Sequence, residues 1–139
     1  KRMILSAMDW VHKNMKSDRI IETESTAYII GKDDIFDTII GTLCSMFSFS
    51  NDFNKDIIIG FANAPNGIKG SGRLRNDIGI DLSDLVKKAA RSVGGEGGGH
   101  RMACGAKIPF DKEHDFINAF ESFLKETPKN NKQAVGLSG

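Results

Sequence analysis

Apolar positions recur along this chain with two periods, and the switches between them predict its elements. Ile4, Ala7, Met8, Val11 and Met15 fall at helical spacing and predict a helix over residues 1–16. Arg19–Thr23 and Thr26–Ile30 predict two short strands joined by a tight turn at Glu24-Ser25. Asp33 or Asp34 is then placed to cap a helix over about residues 35–49, with Phe36, Ile40, Leu43 and Phe47 as its buried stripe. Gly41 sits inside that helix, where glycine is less favourable than alanine by up to ~1 kcal/mol, and points to close packing on a neighbour.

Asp56–Ala62 is a continuous apolar run and predicts an interior strand buried on both faces. Ala64-Pro65-Asn66-Gly67 predicts a turn, because proline fixes φ and Asn-Gly tolerates positive φ. Ile68–Arg75 then returns as the second strand of a hairpin. Asp81 caps a helix whose stripe is Leu82, Leu85, Val86, Ala89, Ala90 and Val93, and Gly94 follows as its terminating residue. The glycine run Gly94–Gly99 reads as a loop, followed by a strand near Ala106-Lys107-Ile108. Asp111 caps a last helix carrying Phe116, Ile117, Phe120, Phe123 and Leu124. The order predicts an α/β fold: a mixed β-sheet of about five strands flanked by helices. It lacks the regular βαβ alternation of a doubly wound dinucleotide fold. We divide the chain into a connector helix (1–17), one domain (18–127) and a polar tail (128–139).

Composition adds limits rather than a function. The 139 residues are 27% charged and 40% hydrophobic, with a net charge of +1, as in an ordinary globular domain. A strongly basic surface does not follow from that total, although local clustering is compatible with it. No apolar run approaches the ~20 residues that span a bilayer, so no membrane partner is expected. Cys44 and Cys104 lie among small or apolar residues and read as buried free thiols, which fits a reducing, cytoplasmic setting. The chain begins at Lys1 and reads as part of something longer.

Two stretches carry chemistry. Alternation along the return strand puts Ile68, Gly70, Gly72 and Leu74 on one face, and Lys69, Ser71, Arg73 and Arg75 on the other. Three cations and a hydroxyl in a row suit phosphate oxygens. A solvated outer face gives the same pattern, but Gly70 and Gly72 weaken a strand and are found where a backbone or ligand comes close. The second stretch is Gly94-Gly95-Glu96-Gly97-Gly98-Gly99-His100-Arg101. Glycine in bulk is entropically unfavourable, and bare amides suit an anion, with an imidazole and a guanidinium as directed donors at the lip. A Gly-Lys-Ser/Thr P-loop ending is absent, the run follows a helix rather than a strand, and no Gly-x-Ser-x-Gly elbow or carboxylate cluster is present. No metal ligands are expected in this chain: Glu96 is the only carboxylate beside His100.

Together these stretches resemble one module. Gly95–Ala106 is similar to the Gly-Gly-Gly-His signature of the DHH-associated domain, first subtype, and Ser71-Gly72-Arg73 is similar to the Ser-x-Arg on that family's upstream strand. Gly-Gly-Glu-Gly-Gly-Gly-His most resembles archaeal RecJ-like exonucleases. The resemblance covers about residues 56–124 and implies the C-terminal, phosphate-gripping half of a DHH-family phosphoesterase. It carries substrate contacts over to Ser71, Arg73, Gly97, Gly98, Gly99 and His100; Arg75 and Arg101 are added from strand alternation and proximity. It further implies an upstream DHH domain in cis that holds Mn2+ or Mg2+ and hydrolyses the phosphodiester, and a substrate that is single-stranded nucleic acid, an oligonucleotide or a nucleotide phosphate. No Asp-His-His triplet is present, so this chain is expected to bind without catalysing and to hold no cofactor. Cys104 stands where the family often has alanine. The alternatives are a non-enzymatic nucleic-acid or replication-complex interaction module of the same descent, and the similar domain of alanyl-tRNA synthetase.

Overall fold

In the computed structural model, which describes residues 2–128, the two periods become four helices and six strands. In chain order these are α1 (Arg2–Lys13), β1 (Ile20–Glu22), β2 (Thr26–Ile30), α2 (Asp37–Ser48), β3 (Ile57–Ala64), β4 (Gly67–Leu74), α3 (Leu82–Ser92), β5 (Glu96–Gly99), β6 (Ala103–Ile108) and α4 (Glu113–Glu126). One mixed sheet runs β1-β2-β3-β4-β6-β5. β2 and β3 are parallel, with α2 as the crossover between them, and all other neighbours are antiparallel.

The sheet separates two apolar cores. Ile57, Ile59 and Phe61 of β3 pack with α3 and α4, whereas Ile58 and Ala62 pack with α1 and α2. This is why the β3 run is unbroken: both faces of that strand are covered. At Gly60 a Cβ would lie 2.6 Å from Cys44 Sγ and 2.8 Å from Ile40 Cδ1, so glycine is what lets α2 lie on β3. On the opposite face Phe61 and Tyr28 meet Phe116 and Phe120 edge-on. The Tyr28 hydroxyl donates to Glu121 Oε2 at 2.5 Å, and burial, then this carboxylate, raises its pKa.

The mixed α/β sheet is as expected, but it has six strands rather than about five. The additional strand is β5, where the sequence reads as a loop. Glu96–Gly99 pairs with Lys107–Cys104, because β6 begins at Ala103 and mutual bonds between His100 and Ala103 close a two-residue turn at Arg101-Met102. Two caps also differ. α2 starts after Phe36 without a side-chain cap: Asp34 pairs with Arg19 at 2.9 Å and Asp33 accepts from Asn63 Nδ2 at 3.1 Å. α4 starts after Lys112, and Asp111 instead turns the chain at φ +63°. Asp81 does cap α3, accepting from the Asp84 amide at 3.3 Å, and Gly94 follows the α3 end at φ +89°. Of the expected tail, residues 129–139 lie outside the described residues.

Candidate functional site

The polar stripe of β4 faces the α2 side of the sheet, at the margin of that helix. A Cβ on Gly41 of α2 would lie 3.4 Å from both Ser71 Oγ and Arg73 Nη2, so the mid-helix glycine does mark a close approach. Ser71 is buried. Arg73 is half-buried and held by the protein: Nε donates to Ser45 Oγ at 2.8 Å, Nη1 to the Gly72 and Cys104 carbonyls at 2.8 and 3.2 Å, and Nη2 to the Gly41 carbonyl at 3.4 Å. No carboxylate pairs with it among the described residues. Its planar fork therefore bridges α2, β4 and β6 with its charge uncompensated. Arg75 lies beyond the strand and donates to the Ser50 carbonyl and Asn51 Oδ1, at 3.0 and 2.8 Å, past the end of α2.

Register extends this face sideways. Ser71 is opposite Gly105 on β6, and Gly105 is opposite Gly98 on β5, so the three share one face. α2 packs on β3 and β4, whereas β5 and β6 take their helix packing from α3 on the other side. The result is an uncovered shelf of sheet beside Ser71 and Arg73. A Cβ on Gly98 would meet nothing within 4 Å, and one on Gly105 would meet only the Gly70 carbonyl at 3.5 Å. Neither glycine is required by the packing of the domain. Others in the run are: at Gly95 a Cβ would lie 2.2 Å from the Lys107 carbonyl, and Gly99 combines φ +137° with a Cβ position 2.8 Å from Cys104 Cα. Gly97 turns to the α3 face, where a Cβ would lie 3.3 Å from Val86 Cγ1.

The amides are not all free, as a loop would leave them. His100 and Ala103 exchange both backbone bonds, and alternation from that pair uses Gly98 in the ladder and turns the Gly97 and Gly99 amides off the edge of the sheet. His100 is exposed at the tip of the β5–β6 turn. Arg101 points to the loop before α3, where Asp77 takes it in a two-pronged ion pair at 2.9 and 3.0 Å and the Ile80 carbonyl accepts at 3.3 Å. Ser71, Arg73, Gly98 and the His100 turn thus border one shelf; Gly97 faces away from it, Arg75 is anchored past α2, and Arg101 is tied to Asp77. Sequence reasoning missed Gly105 and Ser45. Pairing of β4 with β6 skips α3 and β5, and no local pattern signals it.

Cys44 and Cys104 are both free and buried. Burial pushes each thiol up to about 12, against the opposing pull of Arg73. Among the described residues no group of three or more His, Cys, Asp or Glu side chains is arranged to hold a metal ion. No described helix is long and apolar enough to cross a membrane.

The family model of the DHHA1 domain matches residues 24–126. The chain belongs to the DHHA1 domain family. In fold, this DHHA1 domain is similar to an exopolyphosphatase-related protein from Bacteroides fragilis, with a TM-score of 0.64 at 16% identity, covering 91% of this chain and 35% of that one. It is similar to the C-Ala domain of Aquifex aeolicus alanyl-tRNA synthetase at a TM-score of 0.59 and 14% identity, covering 74% of this chain and 95% of that one. A pGpG-specific phosphodiesterase from Vibrio cholerae matches at a TM-score of 0.58 and 9% identity, over 91% of this chain and 42% of that one. The DHHA1 chain thus spans less than half of the exopolyphosphatase-related protein and of the phosphodiesterase. No curated protein matches it.

Proposed function

We infer that this DHHA1 domain is the substrate-gripping half of a DHH-family phosphoesterase, and that a phosphodiester lies on the shelf bordered by Ser71, Arg73, Gly98 and His100. The reading rests chiefly on the Gly98–Gly105 pair: two opposed glycines on an uncovered face, with no neighbour that demands them, beside a half-buried arginine without a carboxylate partner. A bare backbone there admits a ligand that any side chain would hold off. Arg73 and Ser71 then supply the donors, and His100 a further one from the turn. The domain binds; a DHH domain in cis supplies Mn2+ or Mg2+ and the hydrolysis. The substrate is a single-stranded oligonucleotide, the parent is RecJ-like, with the archaeal proteins as its nearest kind, and the setting is the cytoplasm, where two unpaired thiols persist.

Titration of the 139-residue chain with 5′-phosphorylated oligothymidylate, followed by amide NMR, tests the reading. The Gly98, Gly105 and His100 amides are expected to shift, and Arg73→Ala to abolish the shifts. Absence of any shift on this face in the wild-type chain overturns it. A second reading, a non-enzymatic interaction module, is favoured by one feature: the outward Gly97 and Gly99 amides of the β5 edge suit strand addition by a protein partner. Shifts confined to that edge on adding a partner protein, with the shelf silent to oligonucleotide, would support it.

A further inference from the structure

Lys69 and Lys107 are directly opposed on β4 and β6. Both are exposed. They occupy a non-hydrogen-bonded position of that ladder, since Leu74 donates to the Met102 carbonyl and the bonds to β6 alternate from there along β4. Opposed side chains are closest in that register. Like charges so placed destabilise a sheet. Glu96 is the next residue across, opposite Lys107 on β5, yet neither lysine makes an ion pair with it or with any carboxylate among the described residues. No ion pair therefore offsets the juxtaposition of the two ammonium groups.

The two lysines lie on the same face as Ser71, Gly105 and Gly98, two residues along the strands, or about 7 Å. Arg73 and the His100 turn lie the same distance to the other side of that row. Lys107, unlike Lys69, also lines an open hollow of about 390 Å3 with Asn66, Gly94, Gly95 and Glu96.

We propose that Lys69 and Lys107 form a second phosphate subsite, so that the ligand is a linear chain with two or more phosphates and not a mononucleotide. The inference rests on the reading of the shelf given above and deepens it. The first phosphate lies at Ser71, Arg73 and Gly98. The backbone then runs along β4 and β6, and the next phosphate joins the two ammonium groups, relieving their repulsion.

The experiment compares 5′-phosphothymidine with 5′-pTpT on the 139-residue chain, by calorimetry and amide NMR over a series of salt concentrations. Wild type is expected to bind 5′-pTpT roughly tenfold more tightly, with a log–log salt slope steeper by about 0.7, the value for one added phosphate on a single strand. In K69Q/K107Q the preference and the added slope vanish, so that 5′-phosphothymidine and 5′-pTpT bind alike; K69R/K107R retains both. The melting midpoint of K69Q/K107Q is expected to equal or exceed that of wild type. Persistence of the tenfold preference in K69Q/K107Q overturns the subsite alone, provided the Gly98 and His100 amides still respond. A sharp fall in the melting midpoint overturns it too, by showing the pair to be structural. Silence of those amides to both probes in wild type overturns the reading of the shelf, and the subsite with it.

Discussion

Arg73 Nε donates to Ser45 Oγ at 2.8 Å, tying the central cation of β4 to the middle of α2. Three carbonyls take further N–H groups of the same guanidinium, so its plane is fixed before any ligand arrives. Lysine has the charge but not the fork. Arg73→Lys is therefore expected to weaken binding of 5′-pTpT by at least tenfold, whereas Ser45→Ala, which removes one of four holds, should weaken it about threefold. Each should lower stability by about 1 kcal/mol, the net worth of a typical hydrogen bond. Calorimetric titration and urea unfolding check the two effects separately. Equal binding by wild type and Arg73→Lys would remove the fork from the account.

The glycine run contains two kinds of glycine, and alanine substitution separates them. Gly95→Ala puts a methyl 2.2 Å from the Lys107 carbonyl, and Gly99→Ala forces an L-residue to φ +137° against Cys104. Each is expected to destabilise by about 1–3 kcal/mol or more, as strained backbone does. Gly98→Ala meets empty space and should leave stability within about 0.5 kcal/mol of wild type, yet weaken oligonucleotide binding. Thermal melting of the three variants, with titration of Gly98→Ala, decides the matter. A destabilised Gly98→Ala would mean that the domain itself requires the bare shelf.

How much of this was legible in the chain depends on the range of the interaction. β3 announced itself because both of its faces are apolar, and α3 because Asp81 caps it and its stripe is regular. Alternation along β4 put Ser71 and Arg73 on one face correctly, since period two is a property of the strand alone. What failed was non-local. Three glycines and a glutamate have no strand preference of their own. In the fold, Glu96–Gly99 is a strand because β6 supplies the ladder and α3 covers one face. Arg101 next to His100 suggested a shared ligand, but the turn sends it to Asp77. Lys107 lay in a predicted strand with nothing to mark it, and only the pairing of β4 with β6 brings it to Lys69.

On the far side of the sheet, Glu121 joins α4 to β2 by accepting from Tyr28 at 2.5 Å and from Thr23 Oγ1 at 3.0 Å. Tyr28→Phe removes the shorter bond and leaves the carboxylate with the other. A loss of about 1–2 kcal/mol is expected, because a hydrogen bond to a charged acceptor is worth more than a neutral one. The shelf lies on the opposite face, so oligonucleotide affinity should not change. Urea unfolding and titration of this variant test both statements; a change in affinity without a change in stability would contradict the separation of the two layers.

The buried thiols give the domain an alkaline limit. In the folded chain Cys44 and Cys104 are pushed up to about 12 by burial, which outweighs the nearby Arg73. An unfolded cysteine titrates near ~8.5. Above that pH the unfolded chain gives up protons that the folded chain keeps, so rising pH favours unfolding. The stabilisation is complete below pH ~8.5 and is lost progressively as pH climbs toward ~12, at up to about 1.4 kcal/mol per pH unit for each thiol. Tyr28, whose pKa is also raised, adds to the slope above pH ~10. Between about pH 8.5 and 10 the thiols dominate, and C44A/C104A should flatten the dependence of the urea midpoint over that interval. Iodoacetamide should alkylate neither thiol of the folded chain at about pH 8 and both in urea, since the thiolate is the nucleophile. Parallel pH slopes for wild type and C44A/C104A would show that other groups set the alkaline limit.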